Sequence, residues 1–505
     1  MSEQPGGASE AGRVSEQPGG ANEPGGVDQQ GTAADAALAR LADGVAGLRV
    51  LVNGLGISGP PVARLLAARG ALVTAVDGRD DDANRQVAGE LAGLGITVEL
   101  DPAPELPAGT DLVITTPGWR PSTPLLTDAA AVGIPVIGDV ELAWRLRPPL
   151  QDWLGVTGTN GKTTTVLMLA AMLTAAGHHA IAAGNVGLSV VDAVTEPEPY
   201  PVLAVELSSF QLHWSCSVRP FAAVVLNIAA HHLDWHGDIG SYARAKGRIY
   251  APGTVAVCNA DDPRSAGLAA TAPGTARVVA FRLGAPGPGE LGVDGGVLLD
   301  RAFGGQAGAV LADVDDVRPQ GPHNVADALA AAALARAYGV PPEAVRAGLA
   351  GFRPEPHRMS LVGRVGGVDY VNDSKASNPH AAAAALASYR SVVWIAGGLF
   401  RGSGADVDRL VRTNAPRLRG VVALGADRAV ILRSLARHAP DVPVVEAVRT
   451  DTGVMDQVVA EAARMAAPGD TVLLAPAAQS FDMFRNYPAR GDAFAAAVGR
   501  LAEQQ

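Results

Sequence analysis

Cysteine is nearly absent from the 505-residue chain: Cys216 and Cys258 are its only two. Two thiols cannot build a disulfide framework or a cysteine-based zinc site, and so low a count fits a reducing cytosol. Lysine is almost as scarce. Of 40 basic residues only Lys162, Lys246 and Lys375 are lysine. Arginine is a planar fork that stays charged, whereas lysine can lose its proton and be modified. The three lysines are therefore expected where arginine will not serve. No apolar run approaches the ~20 residues of a membrane span. The chain opens without a basic stretch leading into an apolar one, so no signal peptide is expected. A net charge of -11 argues against nucleic acid or an anionic lipid surface as partner.

What is present is apolar material, 48% of residues, in a chain too long for one core. Residues 1–31 are set apart by SEQPGGA at 2–8 and again at 15–21. Such composition buries too little surface to offset chain entropy, so a disordered tail without catalytic role is expected, with a short helix to follow over 32–46. From residue 48 apolar strands alternate with helices, the pattern of a mostly parallel sheet covered on both faces. Strands are expected at 48–53, 71–77, 111–118 and 134–140, then at 152–158, 201–206, 221–228, 253–259 and 277–281. The last set lies at 368–372, 391–396, 420–424 and 471–475. This predicts three consecutive α/β domains over 32–150, 151–352 and 353–505.

Chemistry concentrates in a few motifs. GTNGKTT (158–164) joins an apolar strand to a helix. Its backbone N–H groups could cradle phosphate, Lys162 could reach the β and γ phosphates, and the Thr163 hydroxyl could ligate magnesium. The spacing is not that of a strict Walker loop, because Val156 stands where the first glycine belongs. GLGISG (54–59), with Asp77 ending the next strand, fits any pyrophosphate at a helix N-terminus, that of NAD or of a UDP-sugar. Glu206 ends a strand after the phosphate loop, where a magnesium ligand belongs. His231, His232, Asp234 and His236 suggest zinc, but no cysteine or distant fourth ligand completes the set. Lys246 stands between Arg244 and Arg248, cations expected to lower its pKa and raise its nucleophilicity. In VNDSKASN (371–378), Asp373, Lys375 and Ser377 could hold ribose, phosphate or carboxylate, or simply cap a helix.

Together GTNGKTT, GNVG (184–187), ELSSFQL (206–212), the HxD segment ending in AKGRIY, GPHN (321–324), PHRM (356–359) and NDSKASN resemble the Mur ligases, ATP-dependent amide-forming enzymes of peptidoglycan synthesis. The resemblance spans about 48–498. It implies Rossmann-like UDP-binding, central ATPase-like and C-terminal Rossmann-like domains. It implies addition of D-glutamate to UDP-N-acetylmuramoyl-L-alanine through an acyl phosphate, in the cytoplasm, by a monomer. Gly54, Ser58, Asp77, Arg79, Thr116, Pro117 and Gly118 would surround the uridine and pyrophosphate, and Asn185 the muramoyl group. Gly158, Thr159, Asn160, Gly161, Lys162, Thr163, Thr164, Asn324, His357, Arg358 and Asp373 would hold ATP. Two magnesium ions would involve Thr163, Glu206, His232 and Lys246, the last as N6-carboxylysine. Lys162, Lys246 and His232 would be catalytic. Lys375, Ser377, Arg401, Ser480 and Tyr487 would receive the amino acid, with Arg401 where the family often has lysine.

Overall fold

The computed structural model describes residues 38, 41, 44–305, 307–354, 356–400, 404–449 and 453–504. The expected tail, most of the 32–46 helix and Arg401 lie outside the described residues. Three sheets follow one another along the chain. The first holds β1 (Arg49–Asn53), β2 (Leu72–Asp77), β3 (Thr97–Leu100), β4 (Leu112–Thr115) and β5 (Val136–Gly138). All pair in parallel, in the order β3-β2-β1-β4-β5. Parallel strands need crossovers, and crossover helices bury both faces, so the LVIT of β4 is buried at every position. Strand order reverses between β1 and β4, which opens a ligand crevice above their carboxyl ends.

The second sheet contains β6 (Asp152–Thr157), β7 (Ala180–Gly184), β8 (Val202–Glu206), β9 (Ala222–Val225), β10 (Val255–Asn259) and β11 (Arg277–Phe281). It continues through β12 (Glu290–Asp294), β13 (Val297–Asp300) and β14 (Ala309–Asp313). Their order is β14-β13-β12-β11-β10-β9-β6-β8-β7, antiparallel only at β12–β13 and β13–β14. β6 therefore sits between β9 and β8, and the loop that follows it opens at a switch point. The helix Pro322–Ala337 presses an alanine run onto this sheet, Ala330 to Ala333 being fully buried. Small side chains let that backbone approach closely.

The third sheet comprises β15 (Ser360–Val365), β16 (Val368–Asn372), β17 (Val392–Gly397), β18 (Leu418–Leu424), β19 (Val444–Glu446) and β20 (Thr471–Leu474). The order is β15-β16-β20-β17-β18-β19, parallel except β15–β16. The expected strands are present, and the chain is three consecutive α/β units. β3, β7, β12–β14, β15 and β19 are additions that the sequence reading did not foresee.

Hydrogen bonds join the units. Glu141, on the helix Asp139–Leu146 of the first unit, accepts the N–H groups of Cys216 and Ser217 at 2.9 Å each. Between the second and third units, Asn160 Nδ2 lies 2.8 Å from His380 Nδ1, and Asn378 Nδ2 donates to Asn160 Oδ1 at 3.2 Å. Among the described residues no helix is long and apolar enough to cross a membrane.

Candidate active site

The phosphate loop turns on two glycines. Gly158 (φ +155°) and Gly161 (φ +85°) lie in the region that favours glycine, and a Cβ at Gly161 would fall 2.2 Å from Asp327 Oδ1. The helix Lys162–Ala175 starts directly after, with its free N–H groups facing the turn. Thr163 Oγ1 donates to Glu206 Oε2 at 2.6 Å, and Asn185 Nδ2 donates to Glu206 Oε1 at 3.0 Å. β8 and the loop thus bring a hydroxyl and a carboxylate together. Burial opposes ionisation of Glu206, but Lys162, Thr163, Asn185 and Arg358 together hold its carboxyl below the usual value. Lys162 Nζ donates to Thr159 O at 3.0 Å. Burial lowers its pKa and Arg358 adds to the shift, against Glu206 and Asp327.

A cleft of about 670 Å³ runs from this loop to the third unit. Thr159, Asn160, Gly161, Thr164, Asn324, Arg358, Asp373, Lys375, Ser377 and Tyr487 line it beside Lys162, Thr163, Asn185 and Glu206. Lys375 Nζ stands 4.1 Å from the centre of the Tyr487 ring, a cation–π contact across the far wall. Ser480 is buried and does not line the cleft. His357 (φ +64°) is backed by Asn372 Nδ2 at 3.0 Å from Nδ1 and by Asp492. The Asn160 side chain points to the third unit, while its backbone N–H and carbonyl are both gripped by Asn227.

Behind the loop lies Lys246, 2% exposed on the helix Ile239–Gly247. Its Nζ donates to Thr157 Oγ1 at 3.2 Å and sits 4.9 Å from the Tyr242 ring centre. Burial pushes the ammonium well below the ordinary lysine value, and Lys162 adds to the shift, against Glu206. The expectation that Arg244 and Arg248 would do this is corrected. Arg244 turns out to Ser241 and Arg248 to the His213 carbonyl, because helical neighbours two residues apart face different sides. His232 (φ +54°) packs on His231, with ring centres 3.8 Å apart, and on Phe210. Burial first, then nearby lysine and histidine charge, depresses His231 to about 3 and His232 to about 4. His236 and His213 are also near 4. Among the described residues no three His, Cys, Asp or Glu side chains converge on a metal position, so the zinc suggestion gains nothing from the geometry.

In the first unit Gly54 (φ +108°) has no room for a side chain, since a Cβ would lie 2.1 Å from Thr116 Oγ1 and 2.8 Å from Trp119 Nε1. Asp77 accepts Leu55 N at 2.8 Å and Arg79 N at 3.0 Å, stapling the glycine turn to the end of β2. Ile57, beside Ser58, is 95% exposed at the crevice.

Sequence reasoning missed Asp327, Asn227, His323, Asn378 and His380, all at the cleft. Asp327 is the most consequential. Burial raises its pKa to about 8, against Thr165, Arg358 and Lys162. A carboxyl whose folded pKa exceeds its unfolded value of 3.8 contributes stability at low pH and loses it as pH rises through 8. The histidines have the opposite sign, losing their contribution as pH falls from 6.5 through about 4. Between pH 6.5 and 8 the Asp327 contribution is therefore separable from theirs. Asp327→Asn is expected to raise the ligand-free Tm at pH 8 and to flatten its decline from pH 6.5, by scanning calorimetry against wild type. An identical decline in both proteins would contradict the assignment.

Comparison with known proteins bears on the whole chain. Residues 156–335 match the Mur ligase middle domain and 357–478 the Mur ligase, glutamate ligase domain. A relative in Thermobifida fusca, named UDP-N-acetylmuramoylalanine--D-glutamate ligase, is 60% identical over 90% of this chain and 99% of its own. One of the same name in Streptomyces coelicolor is 56% identical over 90% and 98%. Among solved structures, the UDP-N-acetylmuramate-alanine ligase MurC of Thermotoga maritima shares the fold at a TM-score of 0.55 with 19% identity, covering 91% of this chain and 100% of that one. Similarity at this level over nearly all of the chain shows that it belongs to the Mur ligase family, among the relatives that carry the D-glutamate ligase name.

Proposed function

We propose that this chain joins D-glutamate to UDP-N-acetylmuramoyl-L-alanine, converting ATP to ADP and phosphate. The carrying observation is the cleft itself: the Lys162 loop and the Thr163–Glu206 pair form one wall, and Lys375 and Tyr487 the other. Residues 32–150 then hold the UDP substrate, 151–352 ATP and 353–505 the amino acid. One copy of the chain supplies every part, so a monomer suffices. Use of a UDP precursor and ATP supports a cytoplasmic reaction.

A carboxylate is a poor acylating agent. The substrate carboxylate attacks the γ-phosphorus, ADP leaves, and the acyl phosphate forms. The amine then attacks the acyl carbon and phosphate leaves. Lys162 and the loop N–H groups offset charge on the transferring phosphoryl group. Thr163 Oγ1 and Glu206 Oε2 fit a magnesium ion, which usually takes one or two protein oxygens and completes its shell with phosphate and water. When bound, that ion would spread phosphate charge. The neutral imidazole favoured at His232 is also the ligating form. Lys246 fits a carbamate. Among the described residues no carboxylate pairs with it, and its amine is held towards the neutral, nucleophilic form. Addition of carbon dioxide would leave an anion beside Lys162.

The test is phosphate release from ATP with UDP-N-acetylmuramoyl-L-alanine and each candidate amino acid. D-glutamate is expected to give the fastest turnover. Equal or faster turnover with a diamino acid or D-Ala-D-Ala would overturn the proposal.

A further inference from the structure

Arg490 lies on the helix Tyr487–Glu503 and is 1% exposed. Its Nε donates to Ser374 Oγ at 3.0 Å, Nη2 to Ser374 O at 2.8 Å and Nη1 to Ala478 O at 3.1 Å. Ser374 Oγ in turn donates to Tyr487 O at 2.8 Å. Ser374 immediately precedes Lys375, and Ala478 stands two residues before Ser480. A third loop joins them. Leu399 and Gln479 exchange both backbone hydrogen bonds at 2.9 Å, and a Cβ on Gly398 would approach Arg490 Nη1 to 3.3 Å.

A buried guanidinium is costly to the fold unless fully hydrogen-bonded. Here no carboxylate forms an ion pair with it among the described residues; it donates to oxygens of Ser374 and Ala478. A fork with fixed geometry sets the distance between what it bridges, which a single ammonium cannot do. We propose that Arg490 is a positioning residue for the incoming amino acid, holding the loops that carry Lys375, Ser377 and Ser480 at the spacing the acceptor subsite requires. This rests on the assignment of those residues to the amino acid. It leaves Arg490 itself out of contact with substrate.

The experiment measures KM for each substrate in Arg490→Lys, Ser374→Ala and Ser374→Thr. Misplacement of binding groups by less than an ångström is sufficient to raise the Arg490→Lys amino-acid KM about 10-fold or more, with KM for ATP changed less than about 3-fold. Ser374→Ala, which removes one acceptor, is expected to show the same split at smaller size, and Ser374→Thr, which keeps the hydroxyl, to restore it. Ser374→Ala decides the matter if Arg490→Lys does not fold. An unchanged amino-acid KM, or equal rises for ATP and amino acid, would reduce Arg490 to a general stabiliser and overturn the proposal. A wild-type enzyme that prefers another amino acid refutes the D-glutamate assignment, whereas the same split for that amino acid still supports Arg490.

Discussion

Lys246→Arg is expected to be nearly inactive, losing about 10²–10³-fold in kcat, the usual effect of removing one preorganised electrostatic group. The substitution keeps a positive charge and a long stem, so an enzyme that needed only a cation would tolerate it. Three observations argue for an anion instead. Lys246 is buried, its ammonium meets a threonine hydroxyl and the Tyr242 ring rather than a carboxylate, and Lys162 repels its charge. Arginine cannot shed its proton to relieve that repulsion, nor form a carbamate. Lys246→Ala should be inactive as well, but acetate or another short carboxylic acid, at fixed ionic strength, should restore part of its activity by occupying the vacated space. A phosphate-binding lysine predicts the reverse order: arginine tolerated, alanine worse, and no rescue. A well-tolerated Lys246→Arg would defeat the carbamate while leaving the ligase assignment in place.

The parts of this fold that were legible in the sequence are those where one local rule decides the outcome. GTNGKTT lies between an apolar strand and an apolar helix, and the glycine positions with positive φ are those at which the loop turns. Glu206 was placed at a strand end because buried parallel strands stop where polar residues resume. The β12–β14 extension was missed although its signal was present. Gly295 and Gly296 form a two-residue hairpin turn between Asp294 and Val297, both glycines having positive φ. The alternation of strand and helix before it masked that turn. Asp327 was missed for a different reason. It sits within the alanine-rich helix Pro322–Ala337, and what makes it matter is Gly161, distant in sequence and close in space. Arg490 is the same case, since in an arginine-rich chain nothing local distinguishes the buried one. The environment of Lys246 was misread because chain neighbours were taken for spatial ones; the cation that repels it is Lys162, across the sheet.

Lys162→Ala should abolish ligation and leave the fold standing, and magnitudes decide between these two effects. In the folded protein the ammonium makes one hydrogen bond to the Thr159 carbonyl, worth about 1 kcal/mol net. Glu206 keeps its bonds from Thr163 and Asn185 when the lysine is removed. The attraction of Lys162 to Glu206 and Asp327 is lost, while relief of its own burial and of the charge repulsion with Arg358 and Lys246 works in the opposite direction. The Tm is therefore expected to move by no more than about 4 °C. During the reaction the demand on the same group is far larger, because negative charge gathers on the transferring phosphoryl group directly against it. Loss of a single such contact costs about 10²–10³ in rate, and the loop offers no second cation to replace it. Lys162→Met, which keeps much of the side-chain volume, should match Lys162→Ala in inactivity, showing that charge rather than packing is lost. Thermal melting and phosphate release on the same preparations check both halves. Near-normal turnover in either variant would remove ATP from this loop, and collapse of the fold in both would recast Lys162 as a structural residue.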